Sequence, residues 1–279
     1  MPFLYFNFST KNILLLSHLP HVSISIVITV KNEADSIAEL LDSLLTQNPF
    51  EIIIVDAKST DGTQEIIKKY ADKHKEVKLF IHAGSRGEGR NFGVKMAKGE
   101  IIAFTDGGCR ADKNWLSELK KKMEEGYDVV AGKTINVGTF EEIERVKVEF
   151  KGYDVTYPSC NLLYRKDLFE KIGGFDSRFI TAEDIDLNYR AVEAGAKIGY
   201  NENAVIYRRS AKDLIGLIRQ AFWYGYGRKQ LTLKHGRLWK QYSLNQMFST
   251  HLTFFGVLRL FFGLLGYLIC KTTGGGIRK

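Results

Sequence analysis

Between Ile24 and Ala131 the chain alternates short, continuously apolar runs with segments whose apolar residues recur every three or four positions. Ile24–Val30, Ile52–Val55, Val77–Ile81, Ile101–Phe104 and Asp128–Ala131 are the runs, rich in β-branched residues. Between them Ile37, Leu40, Leu41, Leu44 and Leu45, then Ile66, Ile67 and Tyr70, then Arg86 to Ala97, then Trp115 to Met123 have helical spacing. A strand that is apolar along its whole length needs cover on both faces. The pattern therefore predicts an α/β fold: a mostly parallel central sheet with helices on both sides. Ligands of such sheets bind beyond the carboxyl ends of the strands, so the residues that follow each strand carry the chemistry. Asp61 with Gln64 three residues on predicts a capping box at the second helix. Asn161–Tyr164 predicts a further strand, and residues 134–157 read as irregular.

The composition is compatible with a packed core. Of 279 residues 44% are hydrophobic and 12% aromatic, which excludes a disordered or collagen-like chain. Cys109, Cys160 and Cys270 lie far apart, without a Cys-x-x-Cys pair, which excludes a disulfide framework and a four-thiolate zinc site and favours a reducing compartment. Cys109 and Cys160 read as small buried residues. The net charge of +8 is unevenly spread: from Val205 onward there are many Lys and Arg and one acid, Asp213, whereas residues 1–204 hold more acids than bases. A basic tail on a mildly acidic body points to an anionic partner surface.

Three regions follow. Residues 1–22 read as a loosely ordered leader; their apolar pieces lack a basic n-region and a small-residue cleavage site, so no signal peptide is expected. Residues 23–208 form the α/β domain. Residues 209–279 form a basic, apolar helical tail, in which Leu214, Leu217, Ile218, Ala221 and Phe222 make an apolar stripe. Within it, residues 252–270 are nearly continuously apolar, interrupted by Arg259 near the middle, and would either lie along a membrane or span it. The tail has no nucleic-acid-binding motif, so no nucleic-acid partner is expected.

The strand ends spell out an ordered set. Lys31-Asn32-Glu33 follows the first strand, and Asp56-Ala57-Lys58-Ser59-Thr60-Asp61-Gly62 the second. Gly84-Ser85-Arg86-Gly87-Glu88-Gly89-Arg90-Asn91 follows the third, and Asp106-Gly107-Gly108-Cys109 the fourth. Gly173-Gly174-Phe175-Asp176 and Glu183-Asp184-Ile185-Asp186 come later. Each has a plain structural reading. Asp56 can cap the turn after its strand. The Gly84–Gly93 stretch lacks dinucleotide-fingerprint spacing and reads as a flexible approach carrying Arg86 and Arg90. Gly173-Gly174 can be a helix C-cap or let a sugar come close to the backbone. Thr181 to Asp184 has capping-box spacing, and the helix dipole would keep Asp184 ionised. His235 and His251 have no paired ligand motif and are assigned to no metal.

Taken in order from about Ser23 to Arg208, the set resembles the family 2 type of inverting GT-A glycosyltransferases. The resemblance implies sugar transfer from a nucleotide-diphosphate donor to an acceptor hydroxyl with inversion, in cell-surface glycan or glycolipid synthesis. It implies Asp184 as general base beside Glu183, and donor contacts from Thr29, Asn32, Glu33, Asp56, Arg86, Arg90, Asp106, Gly107 and Gly174. The family often has a second acid after Asp56, where this chain has Ala57. Its Asp-x-Asp motif, which holds Mg²⁺ or Mn²⁺ on oxygen ligands, keeps only Asp106, because Gly108 replaces the second acid. Where many members place a metal-binding His this chain has Arg208, so metal binding is expected to be weakened, with Arg208 or Arg228 neutralising the leaving diphosphate or touching the acceptor. The implied partners are a nucleotide sugar, a lipid-linked or glycan acceptor and a membrane surface, on the cytoplasmic side. The missing acid at Gly108 motivates an alternative, a degenerate nucleotide-sugar-binding scaffold without transfer; retention of Glu183-Asp184 argues against it.

Overall fold

The structure is a computed structural model and describes residues 22–138, 140, 147–236, 238 and 253–276. Its core is an eight-stranded sheet. The strands are β1 (Ile24–Val30), β2 (Glu51–Asp56), β3 (Val77–Ile81), β4 (Ile101–Asp106), β5 (Cys109–Ala111), β6 (Val129–Val137), β9 (Leu162–Arg165) and β10 (Ile198–Arg209). They lie in the order β3-β2-β1-β4-β9-β6-β10-β5. Only β9 and β5 run against their neighbours, so the sheet is mostly parallel, as the apolar runs predict. A separate two-stranded ribbon, β7 (Glu149–Phe150) with β8 (Tyr153–Asp154), lies in the stretch read as irregular.

Helices cover both faces. Helices α1 (Ile37–Leu45), α2 (Thr63–Lys73) and α4 (Trp115–Glu124) pack on one side, where Leu40, Leu41, Ile67, Trp115 and Leu119 meet Ile26, Ile28 and Ile54 of the sheet. Helices α3 (Arg86–Met96), α5 (Lys166–Lys171) and α6 (Glu183–Glu193) cover the other, where Val94, Phe169 and Leu187 meet Val27, Val55 and Phe104. The central strands β1, β2 and β4 thus feed two cores, which is why their apolar pattern is continuous rather than alternating.

Three local expectations are corrected. The glycine-rich stretch after β3 is helix α3, as the spacing of Arg86 to Ala97 predicts, and not the flexible approach its glycines suggested; Ser85 and Glu88 close a capping box at its start. Its glycines let the helix sit directly on the sheet: a Cβ on Gly89 would lie 2.9 Å from Thr29 Cγ2, and one on Gly93 2.5 Å from Val27 Cγ1. Helix α2 starts after Gly62, at φ 94°, without a side-chain cap; Gln64 is spent elsewhere, donating to Asp56 Oδ1 at 2.8 Å. Helix α6 starts after Ala182, at φ 65°, again with no side-chain cap, so Thr181 makes no capping box. The short strand β5 and most of β6 and β10 escaped the sequence pattern because they alternate or carry exposed polar residues.

Two long helices follow the sheet, α7 (Leu214–His235) and α8 (Phe254–Thr273). Helix α7 rests on the loop before α6: a Cβ on Gly227 would lie 2.6 Å from Thr181 Cγ2. Gln230 donates to the Arg178 carbonyl at 3.0 Å and accepts from the Ile180 amide at 3.4 Å. His235 is a partner of buried Asp186, Nε2 to Oδ1 2.7 Å, beside Lys234 at 2.6 Å and Arg190 on the other oxygen. His251, Leu252 and residues 1–21 of the leader lie outside the described residues.

Candidate active site

The carboxyl ends of β1, β2 and β4 meet at one edge of the sheet. The loops after β1 and β2 are laced together. The Asn32 amide donates to Ser59 Oγ at 2.8 Å, the Thr60 amide to Asn32 Oδ1 at 2.9 Å, and the Ala34 amide to Asp61 Oδ2 at 3.0 Å. Asn32 holds a left-handed φ of 56°, which the short polar side chain tolerates. Asp56 ends β2 fully buried; its Oδ1 accepts from the Ser59 amide and Gln64, while Oδ2 has no partner within the protein. Thr29, packed below Gly89, likewise has a buried hydroxyl without a partner.

Glu33 links this corner to the next. Its amide donates to Thr63 Oγ1, and its Oε2 accepts from Ser36 Oγ at 2.6 Å. Its side chain covers Gly107, where a Cβ would lie 2.7 Å from Glu33 Cγ. Gly107 is therefore needed for that close approach, and the side-chain space at Gly108 faces the Glu33 carboxylate, 3.8 Å from Oε2.

Arg90 is the centre of the other half. Its side chain is 1% exposed and lies over the Phe175 ring at 5.3 Å. Nη2 donates to Asp106 Oδ1 at 2.6 Å and Nη1 to Glu183 Oε1 at 2.8 Å. It is thus a buried bridge beneath the site and not, as expected from sequence, a residue on the nucleotide's approach; helix α3 turns it inward because its neighbours Gly89 and Gly93 press on the sheet. Burial alone would raise the Asp106 carboxyl, but Arg90, exposed Arg86 and Arg208 outweigh it and hold Asp106 below the usual carboxylate range. The same two carboxylates hold the Arg90 guanidinium charged against the penalty of burial.

Asp184, one residue past Glu183, has the opposite balance. Burial, then the neighbouring Glu183 charge, push its carboxyl up to about 6; the amides of Ser159 (3.2 Å to Oδ2) and Ile185 (2.9 Å to Oδ1) and the charge of Arg90 oppose them. The helix terminus does not set its ionisation, as the sequence suggested; burial and Glu183 do. An acid titrating near 6 is suited to accept a proton near neutral pH.

Arg208 stands on β10 opposite Cys109 of β5, with Nε donating to Asn136 Oδ1 at 2.8 Å and Nη1 3.9 Å from Cys160 Sγ. Arg228 lies on α7, next to Gly227. Gly174 has a structural role that the sequence left as one of two readings. It is buried at φ 65° in the turn that ends α5, where a Cβ would lie 2.6 Å from Asn91 Oδ1, and its carbonyl accepts from Arg190. Of the two readings of Gly173-Gly174, the C-cap is the observed one.

Sequence reasoning missed the groups that position the site. Asn161, fully buried, accepts from Trp115 Nε1 at 2.7 Å and donates to the carbonyls of Lys133 and Ala204, fixing the turn whose Ser159 amide holds Asp184. A lone Asn before an apolar run carries no signal of this. Ser85 and Glu88 have capping-box spacing, a signal that was present in the sequence but went unread.

The expected divalent metal fits this donor set poorly. Among the described residues no three His, Cys, Asp or Glu side chains gather to hold one. Asp106 has one oxygen on Arg90, Glu33 has one on Ser36, and fixed Arg208 adds positive charge where a ligand would be wanted.

Comparison with known proteins bears on this geometry. The model of Glycosyl transferase family 2 matches residues 25–175, and that of Glycosyl transferase family group 2 matches residues 146–272. Glycosyltransferase AglE of Haloferax volcanii is 29% identical over 232 residues, covering 77% of this chain and 75% of that protein. The chain spans 48% of the length of other curated relatives it matches. The S. aureus TarS 1-349 structure in complex with UDP-GlcNAc superposes with a TM-score of 0.59 at 20% identity, over 88% of this chain and 81% of that one. A mannosyltransferase from Pyrobaculum calidifontis in complex with GDP-Man and Mn²⁺ gives a TM-score of 0.62 at 16% identity, over 90% and 75%. Both share the fold.

Proposed function

This chain belongs to glycosyl transferase family 2 and is a glycosyltransferase, and from that premise we propose that it moves a sugar from a nucleotide-diphosphate donor to an acceptor hydroxyl with inversion, Asp184 acting as general base. The observation that carries this reading is the Arg90 bridge. One buried guanidinium ties Asp106, at the strand ends where the donor lies, to Glu183, the neighbour of the base. Donor corner and base are thereby one rigid unit, and geometry of that kind lowers a barrier only when it is held in advance.

Each residue takes a part. The unpartnered oxygen of Asp56 accepts a hydrogen bond from the donor's base or ribose, and Asn32 and Glu33 shape the loop that receives it. Arg86 and Arg208 counter the charge of the leaving diphosphate, which a guanidinium can grip with two parallel hydrogen bonds. Asp184 takes the acceptor proton as the hydroxyl oxygen attacks the sugar carbon from the face opposite the departing diphosphate. Arg90 is a positioning residue for both carboxylates.

The chain serves cell-surface glycan or glycolipid synthesis on the cytoplasmic face, held to the membrane by its basic tail; the apolar helix α8 supports that attachment. The test is turnover of UDP- and GDP-sugars by purified protein, with and without Asp184→Asn, with the anomeric configuration of any product read by NMR. Sugar transfer with retained configuration, or undiminished turnover in the variant, would overturn the reading.

A further inference from the structure

Helix α8 has its amphipathic pattern turned inside out. Its buried positions are Gly256, Gly266 and Cys270. Its outward positions are Phe254, Val257, Phe261, Leu264, Leu265 and Leu268, spaced as one helical stripe, with Phe254 74% and Phe261 62% exposed. A helix at a water-facing surface shows polar residues on that stripe. Between Phe254 and Cys270 the sole charged residue is Arg259, and it lies off the stripe. Leu214 and Ile215, at the start of α7, add further exposed apolar surface, 43% and 68%.

Charge selects what covers this face. From Val205 to the end the chain is strongly basic, and exposed Arg219 and Lys271 stand on the two helices. A second copy would bring two such basic surfaces together, whereas an anionic bilayer surface complements them.

The packing of α8 on α7 selects how it lies. A Cβ on Gly225 would sit 1.8 Å from the Gly263 carbonyl oxygen, and one on Gly266 2.0 Å from that of Phe222. The two helices are therefore in backbone contact. Helix α7 carries Arg219, Arg228, Lys229 and Lys234 and is itself fastened to the catalytic body through Gly227, Gln230 and the Lys234–Asp186 ion pair. For α8 to cross a bilayer, α7 would have to carry its charges into hydrocarbon or the glycine seam would have to open. We propose that α8 does not span the membrane but lies in its plane, with the stripe from Phe254 to Leu268 seated in the leaflet of an anionic bilayer and α7 between it and the catalytic domain. This rests on the membrane attachment proposed above and names its face and orientation.

The experiment uses the full chain and sealed vesicles of phosphatidylcholine with and without phosphatidylglycerol. The chain is expected to float with the anionic vesicles at least tenfold better than with neutral ones. Phe261→Asp with Leu268→Asp should lower the bound fraction at least tenfold while leaving donor turnover in detergent unchanged. Single cysteines at Thr253 and Thr272, flanking the stripe, should both react with a membrane-impermeant maleimide added outside. Labelling of one and not the other would show a spanning helix and overturn the proposal. So would unchanged flotation of the double Asp variant, or a detergent-free dimer that this variant dissolves while neither form binds vesicles. Asp184→Asn should float like the parent, so failure of the transferase reading and failure of this one are read separately.

Discussion

Asp106 pairs with one arm of Arg90 and Asp184 stands beside Glu183, which takes the other, yet the two acids are held in opposite states. The Asp106 corner is dominated by cations: Arg90 donates directly to the carboxylate, the charges of Arg86 and Arg208 add to it, and Asp106 is held ionised. The Asp184 corner is dominated by burial and by a second carboxylate, Glu183, and its acid is lifted to about 6. Glu183 already uses Arg90's other arm, so little of that positive charge is left for Asp184. Cations around a carboxylate keep it charged, whereas desolvation beside an anion lifts it toward neutrality. The difference between the corners is a difference in ionisation, set by which of two neighbouring acids holds the arginine, and the proposed function gives the two states separate uses.

The sharpest way to break this comparison is to remove one acid. Asp184→Asn should lower transfer by on the order of 10²–10⁴-fold while donor affinity, read by calorimetry, changes little. Asp106→Asn should weaken the donor side instead; equal effects of both variants on donor affinity would abolish the distinction. Removing the shared cation comes next. Arg90→Met leaves buried Glu183 and half-buried Asp106 without their shared partner, a loss of about 3 kcal/mol, to be read from denaturant unfolding. A loss below about 1 kcal/mol would mean that the bridge is not formed.

A pH series sharpens the comparison further. kcat/KM should fall about tenfold per pH unit below pH about 6, following protonation of Asp184. Glu183→Gln removes the like charge and frees Arg90, so the acid limb should move to lower pH; an unmoved limb would show that Glu183 does not tune the base. Stability carries the same signature with its own sign. Asp184 binds its proton more tightly folded than unfolded, so its ionised form costs the fold above pH about 6, and the cost disappears below the unfolded value of 3.8. Asp184→Asn should therefore be more stable than the parent at pH 8, on the order of 3 kcal/mol, with the gap closing toward pH 4. The smallest effect expected is on metal dependence: exhaustive chelation should cost activity a few-fold, because Arg86 and Arg208 already stand near Asp106. An all-or-none requirement for Mn²⁺ or Mg²⁺ would show that the cationic corner does not replace a metal.

The alternation of apolar runs and amphipathic segments was enough to determine the sheet, its mostly parallel sense and the edge where chemistry collects, because a strand buried on both faces leaves an unmistakable composition. Asp56, Asp106 and Asp184 could be picked out from their places after predicted elements and from the family resemblance. The tail was legible as basic and apolar. What the sequence could not decide was direction. Whether Arg90 points to solvent or inward depends on glycines four residues apart pressing α3 onto β1, a contact that exists only once the sheet has formed. Whether Asp184 is ionised like an exposed helix-start acid or lifted toward neutrality depends on which partner Arg90 reaches across a sequence separation of 93 residues. The outward turn of the α8 stripe likewise follows from glycine contacts with α7. Composition and periodicity are local, and so they travel in the sequence; ionisation and orientation are set by groups brought together across the fold, and so they do not.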